Sequence, residues 1–167
     1  MLTMLIAFAA AEPAPVLRQG LEPLAFLSGQ CWRGEFKTGE QDTHCFEPVY
    51  GGQHLRDRHE VTGGKGHYAG ETFYSVAGPG ALGFVYFNSL GGVSRGSFKA
   101  GPEGLNFGDE QYRGADGRQI TLSVSWRRVG DDAYEVVTRS ADAPAMDGTV
   151  VYRRVSEPVT VSKSRAI

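Results

Sequence analysis

Cysteine is scarce in this chain: there are two, Cys31 and Cys45, in 167 residues. Two thiols cannot build a four-cysteine zinc cluster, and a Cys-x13-Cys spacing is not that of zinc ligands. Long apolar runs are absent too. The most apolar stretch, near residue 1, falls well short of the ~18 residues a membrane-crossing helix requires. Positive charge is not in excess, since 17 Lys and Arg stand against 19 Asp and Glu. A basic face for nucleic acid or anionic lipid is therefore not expected. Helix-sustaining runs of Ala, Leu, Glu and Lys are few, and no histidine follows His67.

Glycine is plentiful, with 23 residues, and it punctuates the chain at short intervals. Turn signals fall at Gly51-Gly52, Gly63-Gly64-Lys65-Gly66, Gly78-Pro79-Gly80, Gly91-Gly92, Gly101-Pro102-Glu103-Gly104, Asp116-Gly117 and Gly130-Asp131-Asp132. Between them the pattern predicts strands near 30–37, 41–49, 53–62, 66–76, 82–89, 93–99, 104–112, 118–128, 132–139 and 148–155. Ile120, Leu122, Val124 and Trp126 alternate with Thr121, Ser123, Ser125 and Arg127, as a half-buried strand requires. Short links between sequential strands predict an all-β, up-and-down antiparallel barrel of about 8–10 strands, which hides both sheet edges. An immunoglobulin-like sandwich is the alternative, disfavoured because its crossovers need longer connections. Glu22–Leu27, with Pro23 near its start and Gly29 after it, predicts a short helix that plugs one barrel end.

The opening "MLTMLIAFAAAEPAPV" carries a short apolar core and Ala9-Ala10-Ala11 before Glu12-Pro13, the pattern of an export signal covering 1–11. A Pro/Ala-rich linker over 12–20, one domain over 21–155 and a polar, loose tail over 156–167 complete the division. Export places the protein in a secreted or periplasmic, oxidising space, where a cysteine pair persists as a disulfide. The register can be counted from Lys37-Thr38-Gly39, taken as a three-residue hairpin loop. Glu35 then faces Gln41, Gly34 faces Asp42, Arg33 faces Thr43, Trp32 faces His44, and Cys31 faces Cys45. That is a non-hydrogen-bonded pair with Cα atoms ~4.5 Å apart, a separation a disulfide tolerates.

"LAFLSGQCWRGEF", the Gly-punctuated hairpins and the closing "GTVVYRRV" together resemble the bacterial lipocalin-like domains of the calycin superfamily, including relatives of nitrobindin. The first-strand motif here is Gly-x-x-Trp where that group typically has Gly-x-Trp. The resemblance implies that Trp32 and Arg154 (or Arg153) form a lock closing one barrel end, with guanidinium stacked on indole. Nitrobindin-like relatives ligate haem through a histidine near the carboxyl end. No histidine stands there in this chain, so the resemblance carries no cofactor over; His59 and His67 are the remaining candidate axial ligands.

Two motif matches carry no chemistry. Gly92-Val-Ser94-Arg-Gly96 fits G-x-S-x-G, but strand residues follow the serine and no histidine lies downstream. Gly63-Gly64-Lys65-Gly66 lacks the phosphate-loop pattern and precedes no helix. Metal ligation would need histidines on one face, and His54 and His59, five apart, point to opposite ones, so no metal site is assigned.

The most suggestive set is charged. If Leu55 and Val61 face inward, so do Asp57 and His59; with Glu71, Tyr74, Tyr86, Arg95 and Trp126 they form a candidate ligand-binding group. The competing reading makes Arg56, Arg58, Glu60 and Glu71 cross-strand ion pairs on a wet face. Function is then expected to be binding of a small apolar or amphipathic molecule inside the barrel, without catalysis, cofactor, metal or nucleic acid. One alternative is an isomerase- or cyclase-type enzyme pairing His59 with Asp57 or Glu71. Another is an interaction protein with a filled barrel.

Overall fold

The computed structural model describes residues 16–155. The expected export signal and the polar tail lie outside that span, as does the first part of the linker. Ten strands follow one another: β1 (Cys31–Glu35), β2 (Gln41–Val49), β3 (His54–Thr62), β4 (Tyr68–Gly78), β5 (Ala81–Asn88), β6 (Val93–Gly101), β7 (Gly104–Arg113), β8 (Gln119–Arg128), β9 (Ala133–Arg139) and β10 (Gly148–Val155). Each pairs antiparallel with its sequence neighbour, and β10 pairs back onto β1, so the sheet is a closed barrel without free edges.

The first hairpin forms as counted. Phe36 N–H donates to Glu40 O, Gly39 N–H donates to Phe36 O, and Gly39 adopts φ +95°, the left-handed geometry of the loop's last residue. Trp32 pairs with His44, Gly34 with Asp42, and Cys31 with Cys45. The two cysteines are joined as a disulfide with Cα atoms 4.1 Å apart, slightly closer than the expected separation.

The predicted helix is instead a single 3₁₀ turn, Glu22–Leu24, extended by further i→i−3 hydrogen bonds from Leu27 to Leu24 and from Ser28 to Ala25. A 3₁₀ repeat of three residues puts Leu21, Leu24 and Leu27 on one line. All three are fully buried and cap one barrel end, whereas an α-helix would fan them over a wider arc. Beneath this plug Trp32, Phe46, Trp126, Tyr134 and Tyr152 pack into an aromatic core. Arg154 lies over the Trp32 ring at 5.2 Å and donates to Asp131 O, joining β10 to the β8–β9 turn.

Strand alternation sends Leu55, Asp57 and His59 inward from β3 and Ile120, Leu122 and Trp126 inward from β8. The alternation is interrupted near the end of β4, between Val76 and Gly78, and inside β7. In β7 the pairing with β8 shifts between Asn106 and Asp109, where Gly108 takes φ +58° and donates to Asn106 Oδ1. An inserted residue flips the faces beyond it. Leu105 and Phe107 point in before the bulge; Glu110 and Tyr112 point in after it.

Candidate functional site

The half of the barrel away from the leucine plug holds a buried polar cluster. Its centre is Asp42 on β2, whose carboxylate is 4% exposed and receives three donors. These are His44 Nε2 at 2.9 Å, His59 Nδ1 at 3.1 Å and the Tyr152 hydroxyl at 2.8 Å. His44 Nδ1 lies 2.8 Å from Asp57 Oδ2. Because ionised carboxylates only accept, both nitrogens of His44 carry protons and the ring is an imidazolium held between two aspartates. Burial works against that charge, but the flanking Asp42 and Asp57 override it and hold His44 well above the usual histidine range. Asp42 shows the mirror image: burial alone would raise its pKa, yet His44 and His59 pull it far below the carboxylate range.

The cluster continues toward the open end. With Nδ1 donating to Asp42, His59 Nε2 accepts from the Tyr86 hydroxyl at 3.0 Å. Tyr68 and Tyr86 share a 2.6 Å hydrogen bond, and Asn88 Nδ2 donates to both Tyr68 and Tyr112 at 3.3 and 3.2 Å. A glycine makes this crossing possible. Gly70 lies between His59 and Asn88 in the sheet, and a Cβ there would sit 2.6 Å from His59 Nε2 and 2.5 Å from the Tyr86 ring.

Beside the cluster is a cavity of about 240 Å³, the volume of roughly eight waters. One wall is polar, with Asp42, His44, Asp57 and His59; the other is apolar, with Phe107, Leu122, Val124, Trp126 and Val136. Glu110, turned inward by the Gly108 bulge, lines it too, and burial raises its pKa against a weaker opposing pull from Ser94. Asp57 is 2% exposed, and its Oδ1 has no hydrogen-bond partner among the described residues. Met146, in the loop between β9 and β10, touches this cavity and also an outer groove against Leu90 and Tyr112.

Of the residues singled out from sequence, Asp57, His59, Tyr74, Tyr86 and Trp126 line this one cavity. Glu71 and Arg95 do not. Glu71 pairs across the sheet with Arg58 and Phe87 on the outer face, and Arg95 is exposed beside Gln111. His59 is partnered by Asp42, whereas Asp57 is taken by His44 and Glu71 is outside, so neither pairing anticipated for an acid–base enzyme is present. The wet-face reading also has its place, since Arg56 and Arg58 both reach Glu47 on the outer surface. His67 is exposed beside Glu60. Asp42, Tyr152 and Glu110 are not among the sequence candidates, although Asp42 and His44 share Trp32's face in the counted hairpin.

Asp42, His44 and His59 offer metal-ligating atoms within 4.8 Å of one another. Their geometry is that of a hydrogen-bonded cluster. The two imidazoles stack at 4.8 Å with only 18° between planes, so their in-plane lone pairs do not converge, and both nitrogens of each ring are already engaged.

No protein-family model matches the chain, and no curated protein matches it. The closed ten-strand antiparallel barrel is consistent with a calycin- or lipocalin-like fold. Among the described residues no helix is long and apolar enough to cross a membrane.

Proposed function

We propose that this is an exported, lipocalin-like barrel of the nitrobindin-related group that binds one small amphipathic molecule in the cavity beside Asp57. The observation that carries this reading is the two-sided lining: a compact aromatic and aliphatic wall faces a wall of fixed hydrogen-bonding groups. Such a surface favours a ligand with an apolar body and one polar end.

Binding is a better account than turnover. General acid–base catalysis works best with groups poised near the working pH. Here the network drives its members apart: Asp42 is held low and His44 high. Burial, with the Asp42 charge contributing, pushes the Tyr86 and Tyr152 hydroxyls far above their ordinary range. Those four groups are suited to holding a ligand in place by fixed hydrogen bonds.

The test is native mass spectrometry of protein purified from the compartment in which it accumulates, with Val124→Trp as the comparison. A small-molecule adduct on the wild type that is lost from the folded variant supports the reading. A wild type that carries no adduct, and whose Trp126 fluorescence is unmoved by a library of small amphipathic compounds, refutes it.

A further inference from the structure

We infer that the cavity selects an organic cation: a compact molecule whose protonated amine donates to Asp57 Oδ1 while its apolar body lies against Trp126 and Phe107. The inference deepens the binding proposal and rests on it.

Asp57 Oδ1 is the first ground. A fully buried carboxylate oxygen without a donor costs free energy, and native proteins seldom leave one so. Its sister atom Oδ2 is committed to His44, and His44 has no further proton to give. Asp57 lines the cavity, so an occupant that carries a donor to that wall is placed to supply what Oδ1 lacks.

Charge is the second ground. Two carboxylates, Asp42 and Asp57, line the space beside Glu110, whose burial favours its uncharged form, and no Lys or Arg is among its described lining residues. The His44 imidazolium is shared between Asp42 and Asp57, so it balances one of them at most. An anionic ligand would meet this excess of negative charge at close range beside buried carboxylates. A neutral ligand would satisfy Oδ1 with a weaker hydrogen bond. A cation gains both the charge-assisted bond and the field.

The apolar wall gives the third ground. Tyr74, Phe107 and Trp126 pack at mutual angles of 45–74°, which presents ring faces as well as edges to the cavity. Aromatic faces attract cations and cover a flat apolar body equally well. The volume of about 240 Å³ restricts that body to something near a single ring with a short side chain.

Three probes of nearly equal size separate the terms: 2-phenylethylamine, 2-phenylethanol and phenylacetate, titrated at pH 7 into the full chain by calorimetry. The amine is expected to bind about ten- to a hundredfold tighter than the alcohol, the range for a hydrogen bond to a charged group, with phenylacetate weakest. Asp57→Asn should erase most of the amine's advantage and leave alcohol binding nearly unchanged. If that variant fails to fold, Glu110→Gln should reduce the same advantage by a smaller factor. Alcohol or phenylacetate binding as tightly as the amine overturns the cation assignment while leaving a ligand-binding barrel intact. Failure of all three probes to bind overturns it as well; the native-compartment adduct then decides separately whether the barrel binds anything.

Discussion

The buried imidazolium of His44 should make stability fall as the solution becomes alkaline. In the folded protein the ring keeps both protons well above pH 6.5, because Asp42 and Asp57 accept from its two nitrogens. In the unfolded chain the same residue loses its proton near 6.5. Below 6.5 both states are protonated and the full stabilisation is present. Above it the folded state binds one proton more than the unfolded state, so unfolding free energy drops by up to ~1.4 kcal/mol per pH unit until the folded pKa is reached. The loss accumulates from pH 7 upward and ends once the folded-state titration of His44 is passed. Asp42 acts at the other end: its depressed pKa contributes stability above ~3.8 that is lost as pH falls further. The assay is urea unfolding of wild type and His44→Gln at each pH unit from 5 to 9. His54, His59 and His67 remain in the variant, so the difference between the two curves isolates His44. A wild-type stability that is flat or rising relative to the variant above pH 7 would refute the imidazolium assignment.

Other perturbations probe other parts of the structure. Gly70→Ala drives a Cβ into Tyr86, His59 and the Phe87 carbonyl, so it should cost ~1–3 kcal/mol in urea unfolding and break the His59–Tyr86 hydrogen bond. An unchanged midpoint would mean the crossing is looser than described. Reducing the Cys31–Cys45 bridge, or replacing both residues by serine, should lower stability by ~3 kcal/mol in the chain-entropy account, read as a drop in Tm. No drop would place the bridge outside the stabilising set. Leu24→Ala empties a fully buried position in the plug and should cost ~2–5 kcal/mol; a cost under ~1 kcal/mol would show that the plug undocks readily.

Much of this fold is legible in the sequence, and the reasons are local. Gly39 sets a left-handed loop residue, and that one choice puts ten residues of β1 and β2 in register, down to Cys31 against Cys45. Strand ends were legible because glycine pairs mark the turns. Faces were harder. Asp57 and His59 follow Leu55 inward by simple alternation, but Glu71 shares the outer face of β4 with Phe73, opposite to Thr72 and Tyr74. Arg95 sits between Ser94 and Gly96, and the small residues are the inward ones because Phe84 and Tyr86 fill the space beside them. Glu110 could not be placed by period-two reasoning, since the Gly108 bulge reverses the faces of β7 ahead of it. The 3₁₀ plug follows from a leucine at every third position, a spacing that an α-helical reading blurs.

A hollow beside Asp57 that a small amphipathic cation can occupy is the central claim. A crystal structure of the full chain soaked with 2-phenylethylamine tests this directly. The account predicts the phenyl ring against Phe107 and Trp126, with the ammonium within hydrogen-bonding distance of Asp57 Oδ1. Side chains collapsed into that space, with Oδ1 bonded to another protein group, would contradict it.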